Sequence, residues 1–519
     1  MDVFGDFGMV GGDDQAANPG QDNQVCINFY PELSPTKTAK EVAGLLGAPG
    51  LIQLVSAGPT LPPLDSTWPQ PSTVTNLPVR GLWVLPGATQ ALAVIGNGCY
   101  LVTILAYGSS ILPAQLALTQ VGTLATSSGP VVIRDNGLGG AAVIVDGVNG
   151  YFYTVATQAF AQITDPGFLG SSHAAFIDGW WAFNLPATQT FYTNGQPYSL
   201  AFNASYFANA DASGDQLMGL FESKEELWLI KEKATEIWYN AGGQYFPFQR
   251  LVGTLLQVGC KARYSIARFS SQNQDGLIWF GRSDRGENVI VKTVGFAAQV
   301  VSTPAVSDQI AKYSVTSDAI GYTYQEDTHE FYVLTFPTAD RTWVYDASMP
   351  LEFAWTQRLS YDPYAKQFHR HRSNCYMNFA GNRIVGDYQN GSLYQLTRSS
   401  YTDAGWPLLA RRRAPHIWDK GPRARVFMAS LQLDFKTGQG NASGLGSDPQ
   451  AYLRIARDGG AFGQQWPAPL GQIGQTKTRT MWRRLAFARD TVLEVEIIDP
   501  VNRDMVGATL KAFSEPERQ

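Results

Sequence analysis

The stretch AAFIDGWWAFNLPATQTFYTN, residues 174–194, holds two aromatic runs, WWAFN and TFYTN, separated by a polar turn. Short runs of aromatic and β-branched residues bounded by turn residues read as antiparallel strands. The pattern recurs along the chain. It is found at LWVLPGATQALAVIGNGCYLVT (82–103), AAVIVDGVNGYFYTV (141–155), LMGLFESKEELWLIKEKATEIWYN (217–240), GLIWFGRSDRGENVIVKT (276–293), HEFYVLTFPTADRTWVYD (329–346) and NRIVGDYQNGSLYQL (382–396). The units close near Thr103, Val155, Asn194, Asn240, Thr293, Asp346 and Leu396, at intervals of 52, 39, 46, 53, 53 and 50 residues. A four-stranded propeller blade uses roughly 40–50 residues, so the repeat predicts one blade per unit. The fold expected is all-β: a β-propeller of six or seven blades over residues 79–400, followed by a C-terminal antiparallel β-domain.

Composition agrees. Of 519 residues only 16% are charged, 12% are aromatic, and glycine (51) and proline (29) are plentiful. Strands and turns need these residues; a helical bundle or coiled coil does not. Hydrophobic content of 44% is enough for several cores and argues against wholesale disorder. The net charge of −5 excludes a generally basic nucleic-acid binder. Its distribution is uneven: residues 401–519 stand at +5 and residues 1–400 at −10. No stretch reaches the ~18 consecutive apolar residues of a membrane span. The acidic, Gly-rich start lacks the basic and apolar regions of a signal peptide, so neither export nor a membrane partner is expected.

Around the repeat the chain divides simply. Residues 1–24 read as a flexible arm, rich in Gly, Asp and Asn. Residues 25–78 form an N-terminal segment and linker, with an extended run at 25–30, a short helix near 38–46 and a Pro-rich stretch at 58–78. Residues 401–519 alternate in VFMASLQLDF, AYLRIAR, RTMWRRLAFA and TVLEVEII, with a flexible Gly-rich loop at 438–446.

Signatures of chemistry are scarce. The chain has no Gly-Lys dipeptide for a Walker-type loop, no Gly-x-Ser-x-Gly elbow and no His-Glu-x-x-His helix. Cys26, Cys99, Cys260 and Cys375 lie too far apart in sequence for a zinc or redox motif and read as reduced, mostly buried thiols. His369 and His371 share the spacing of one strand face, but Arg370 and Arg372 interleave them, so both read as solvated. Glu225-Glu226, Glu326-Asp327 and Asp499 could supply carboxylates; all but Asp499 fall in polar turns, where acids face water. No catalytic residue, cofactor or metal ligand is assigned. The strongest charged feature is Arg411, Arg412, Arg413, Arg423 and Arg425. It reads as surface paired with acids, or as contacts to DNA phosphates or to carboxylates of a neighbouring subunit, with a subunit interface favoured over a DNA lumen. Arg483 and Arg484 follow Trp482 on a strand, so one should stack and the other face solvent.

Several segments together resemble a known family. They are NFYPE at 28–32 (Asn28, Tyr30, Glu32), Lys40, and APGL at 48–51 (Pro49, Gly50). GDYQNGSLYQL at 386–396 (Gly386, Asp387, Gly391) follows, then YTDAG at 401–405 (Tyr401, Asp403) and RAPH at 413–416. The C-terminal part adds DPQ at 448–450, RDGG at 457–460 (Asp458, Gly459, Gly460), LGQIG at 470–474, and WRRL at 482–485 (Trp482) with Arg489-Asp490. In this order they resemble the tail-hub proteins of short-tailed phages (podoviruses), also called tail nozzles or packaged-DNA stabilisation proteins. The match covers residues 26–51 and 380–511; the middle agrees only in blade rhythm.

The resemblance implies a non-enzymatic virion protein of the tail, assembled in the host cytoplasm as a homo-hexamer below the portal and adaptor ring. It would close the head after packaging and pass double-stranded DNA at ejection without sequence-specific binding. Spikes, fibres or a needle-like plug would attach to it. The acidic balance of residues 1–400 suits a DNA conduit, because a basic lining would hold phosphates. The rival is a glycan-binding or sialidase-like propeller tail enzyme. Its support is one faint Asp-box-like turn at 456–463, with Ala456, Phe462 and Gly463 in place of Ser, Thr and Trp.

Overall fold

In the computed structural model the described residues are 2–4, 7–34, 43–58, 76–108, 113–243, 246–271, 274–283, 286–419 and 424–514. Seven antiparallel sheets succeed one another around a ring. The first blade is built from Val79–Val84, Gln90–Ile95, Gly98–Ala106 and Gln115–Thr123. The second to sixth begin at Val132, Ala174, Leu217, Gly259 and Ile320. The seventh comprises Ser373–Phe379, Asn382–Asp387 and Ser392–Thr397. Its fourth strand is not local. Gly50–Ser56 supplies it, pairing Thr397 with Gly50 and Tyr394 with Gln53. The blade count is therefore seven, and the propeller borrows a strand from the segment placed before it by sequence.

Turn chemistry explains the sharp hairpins. Asp178-Gly179 and Ala380-Gly381 each have two consecutive positive φ values (51° and 86°; 55° and 71°), the two-residue geometry that matches strand twist. Ring closure rests on packing. Val79 and Ala91 of the first blade share one core with Met377, Phe379 and Leu393 of the seventh. Asn374 donates across the same seam to the Val79 carbonyl at 2.8 Å.

Residues after 409 build a β-sandwich. One sheet runs Phe29–Leu33, Ala43–Gly47, Met505–Ser514, Val426–Phe435 and Thr480–Ala488, with Asp2–Phe4 on the strand 505–514. The other runs Asn23–Ile27, Ala410–Arg413, Asp490–Ile497, Gln450–Arg457 and Trp466–Pro469. Leu45, Met428, Leu431, Trp482 and Leu510 face Ala451, Leu453, Leu493 and Val495 across the core. The second sheet continues into the sixth blade, because Ile27 pairs in parallel with Gln357. All four strands expected after residue 401 are present. The glycine loop is tied down by Asn441, whose side chain donates to the Leu445 carbonyl at 2.7 Å.

Two local expectations are corrected. The described part of the predicted helix is the strand Ala43–Gly47, with Leu45 opposite Pro31. Burying Leu45 in the sandwich outweighs the helical spacing of its neighbours; residues 38–42, with Lys40, lie outside the described residues. The flexible arm is instead docked: Met9 is buried, and Asp13 accepts from the Cys26 N–H at 3.1 Å and Gln357 at 2.9 Å. Of the Pro-rich stretch, residues 59–75 lie outside the described residues.

Candidate functional site at the propeller–sandwich seam

The strand Ala410–Arg413 lies between Asn23–Ile27 and Asp490–Ile497, with Arg411 opposite Glu496 and Arg413 opposite Glu494. Strand alternation sends Arg411 and Arg413 to one face and Arg412 to the other. On the first face Arg411 reaches Glu496 at 2.5 Å and Arg413 reaches Glu494 at 2.7 Å. Arg454 from the neighbouring strand joins both carboxylates, Glu496 at 2.9 Å. Three guanidiniums thus enclose two buried carboxylates. On the other face Arg412 donates to the carbonyls of Met9 (2.8 Å) and Gly12 (2.7 Å) and to Gln24 Oε1 (2.6 Å). It is 1% exposed.

Of the readings of the strip, pairing with acids is the one present at Arg411 and Arg413. The partners of Arg411 and Arg413 are carboxylates of the same chain, and Arg412, buried against the N-terminal segment, is out of reach of DNA or a neighbour. The signal lay in TVLEVEII: two glutamates at alternate positions of an apolar strand need buried cations. Arg425 is exposed and its guanidinium lies 5.4 Å from the Phe487 ring. Arg423 is outside the described residues.

The ion cluster floors a cleft of about 510 Å³, walled by Tyr361, Leu409, Tyr452 and Gln465. Polar contacts also cross the seam, beside apolar ones such as Val25 and Ile27 against Leu359. Arg398 of the last blade pairs with Asp504 of the sandwich at 3.2 Å. Asp504 also accepts from the Gly47 N–H at 2.9 Å. Neighbouring Arg503 is buried against the carbonyls of Leu408 and Tyr401, and burial pulls it down to about 10. None of these was singled out in the sequence, where Arg398 stands alone and Arg503-Asp504 is an ordinary neighbouring pair.

The remaining candidates resolve differently from one another. His369 is half-exposed and sits 2.7 Å from Asp340. His371, expected in solvent, is buried 2.6 Å from Ser373 Oγ, and burial beside Arg358 and Arg372 holds it well below its ordinary range. Glu225 occupies an exposed turn, whereas Glu326 is buried against Arg383 at 3.0 Å and raised by desolvation. Its partner is arginine, which the turn reading missed. Asp499 accepts from the Gln450 N–H at 2.8 Å. Among the described residues no group of three or more His, Cys, Asp or Glu could hold a metal. Cys26, Cys99 and Cys260 are buried and Cys375 is half-buried. Trp482 is buried, but Arg483 and Arg484 both face solvent. A bulge with Arg484 at φ 57° breaks the alternation that should have separated them.

Of the positions quoted for the family resemblance, Asn28, Tyr30 and Gly50 stitch the domains together, and others fix turns within one domain. Asn28, at φ 56°, donates to the carbonyls of Leu359 (2.8 Å) and Leu409 (2.7 Å) and accepts from the Leu359 N–H. Tyr30 packs edge-on against Phe331. A Cβ at Gly50 would stand 2.4 Å from the Thr402 carbonyl oxygen. Asp387 accepts from Tyr394 at 2.7 Å, and both it and Asp403 are buried beside Arg372. Asp458 ties the turn Gly459-Gly460 to the Arg489 N–H at 2.9 Å.

Comparison with known proteins gives two family matches in order. Residues 99–401 match the model described as bacteriophage P22 Gp10, β-propeller, and residues 412–512 match bacteriophage P22 Gp10, β-sandwich. No curated protein matches the chain. Among solved structures it is similar to the Pan2 WD40 domain of Neurospora crassa, at 7% identity over 62% of this chain and 89% of that one, TM-score 0.37. It is also similar to the extracellular domain of a putative hybrid two-component system of B. thetaiotaomicron, at 9% identity over 64% and 39%, TM-score 0.39.

Proposed function

Because the chain belongs to the bacteriophage P22 Gp10 family of podovirus structural tail proteins, we propose that it is the tail hub, or nozzle, of a short-tailed phage. Six copies close into a ring below the portal and adaptor ring, extend the DNA channel, retain packaged DNA and conduct it at ejection. Spikes, fibres or a plug attach to the ring. The subunit works by shape and charge, without enzymatic activity.

The observation that carries this reading is the stitching of two family domains into one stiff body by a single N-terminal segment. The strands Asn23–Ile27, Phe29–Leu33 and Ala43–Gly47 join the two sandwich sheets, and Gly50–Ser56 completes the seventh blade. A subunit that must hold a pressurised channel needs that coupling, since weakly joined domains move by default. The axis of the propeller itself supports a lumen between copies. Arg134 from the second blade lies 4.6 Å from the Trp83 ring of the first and 5.8 Å from Phe221 of the fourth, so side chains occupy the axis. The −10 balance of residues 1–400 lets phosphates pass without being held.

The test is a virion assembled without this protein. The hub reading expects particles that fill with DNA and then leak it. Particles that retain DNA and only fail to bind cells would assign a receptor-binding role instead.

A further inference from the structure

The outer face of the sandwich sheet Val426–Phe435, Thr480–Ala488 and Met505–Ser514 carries an aromatic row across three strands. Phe427 is in register with Phe487 on one side and Phe513 on the other. The Phe427 and Phe513 rings stack at 6.4 Å, and Phe427 and Phe487 are 41% and 47% exposed. Arg425, Arg483, Arg484 and Lys511 surround the row, all exposed. The one acid on these strands, Asp434, is engaged by Gln432 at 2.9 Å. An apolar centre with a charged rim on a rigid sheet is the anatomy of a protein interface.

A complementary surface exists elsewhere on the same chain. The third and fourth blades meet where Asn240 of the fourth donates to Asp178 of the third at 3.1 Å, and there Asp178 and Glu225 add to the burial that raises Glu226. Exposed Tyr198 packs over Gly179 beside them. The one cation of these turns, Lys224, is turned to the Gly295 carbonyl at 3.4 Å, which leaves the acids to set the charge of the patch.

We propose that the Phe487–Phe427–Phe513 face docks onto the Asp178/Glu225/Glu226 turns of a second copy. The inference rests on the hub reading and names the contact by which its ring is built. Because the two patches differ, the contact is heterologous and repeats head to tail until the ring closes. Charge alone would suit a nucleic acid as well, but the Phe427 and Phe513 rings are stacked on each other and the Arg425 guanidinium covers Phe487, so bases find no open faces and the acidic turns are the better occupant.

The test uses virions carrying Arg484→Cys together with Glu225→Cys, both at exposed positions. Background is low because three native thiols are buried and the fourth half-buried. After oxidation with diamide, the double variant should give a ladder of covalent multimers on a non-reducing gel, and each single variant none beyond a dimer. Virions that contain the protein in multiple copies yet give no ladder would overturn this contact and leave the hub reading standing. Virions that lack the protein would overturn both. In parallel, Arg483→Glu with Arg484→Glu should abolish incorporation of a chain whose circular dichroism is unchanged. Salt-sensitive retardation of duplex DNA by the wild-type chain, lost in that variant while incorporation persists, would assign the face to phosphates and overturn the proposal.

Discussion

Gly386 is pressed against Val79: a Cβ on the glycine would stand 2.4 Å from the valine Cγ1. The central strand of the last blade thereby meets the inner strand of the first with no side chain between them. This contact belongs to the seam between first and last blades that also holds the Asn374–Val79 hydrogen bond. Gly386→Ala should lower stability by ~1–3 kcal/mol through overpacking, with Val79→Ala restoring part of the loss. Urea unfolding of the single and double variants measures the coupling. Additive losses would show that the two residues close nothing together.

A second expectation concerns the N-terminal segment. Arg412 is wrapped by the carbonyls of Gly8, Met9 and Gly12, so one guanidinium ties down three points of the segment 8–12. Arg412→Met fills similar volume but leaves those carbonyls unpaired. Each buried unsatisfied group costs ~1–3 kcal/mol. Limited proteolysis should therefore cut within residues 8–25 in the variant and spare the wild-type chain. Equal resistance of both would locate the docking energy in Met9 and the strand pairs instead.

How far the sequence was legible follows from where partners lie. The blade rhythm and the four sandwich strands were readable because their signal is local: aromatic runs, turn dipeptides and alternation. Gly50–Ser56 could not be placed in the seventh blade, since its partner strand Ser392–Thr397 is remote in sequence and no local pattern marks the pairing. Leu45 and Leu46 carried helical spacing, yet a sandwich core needed Leu45 on a strand. The arginines were recognised as cations in want of carboxylates. Their pairing with acids is present, and the acids are Glu494 and Glu496, at alternate positions of a strand that neighbours them in the sheet but is remote in sequence.

Two histidines give opposite pH dependences. Burial, with Arg134 and Arg263 nearby, pushes His173 from 6.5 down to about 3. The unfolded chain takes up this proton first, so His173 leaves stability intact above pH 6.5 and erodes it as pH falls toward 3. The loss is ~3 kcal/mol by pH 4. His329 behaves oppositely. Burial lowers it, but the Asp346 carboxylate at 2.6 Å raises it overall, so its contribution is full below 6.5 and lost as pH rises through the folded value. His173→Gln should shift the acid unfolding midpoint downward, and His329→Gln should flatten the loss on the alkaline side. Unfolding midpoints from pH 4 to 9 check both signs; a variant with the wild-type profile would remove that histidine from the account.

The arginine–glutamate cluster separates an internal scaffold from an intersubunit contact. Glu494 is fully buried and faces Arg411, Arg413 and Arg454, each partly exposed. Removing a buried partner usually costs ~3–5 kcal/mol, because the opposite charges lose their neutralising group. Here the arginines keep some contact with water, which places Glu494→Gln near the lower end, ~2–3 kcal/mol. That loss should be seen in the isolated chain by urea unfolding, before any assembly. An interface role for Arg411 and Arg413 predicts a different outcome: unchanged stability alone, with weakened tail attachment or altered DNA retention. Arg411→Ala with Arg413→Ala makes the comparison stricter, since Glu494 then keeps only Arg454. If that chain unfolds as the wild type does, the carboxylates are held by something other than these arginines, and the strip returns to the list of surfaces that meet a neighbour. If it is destabilised, assembly defects in the same variant follow from the weakened sandwich, and the search for the subunit contact moves to Arg483 and Arg484.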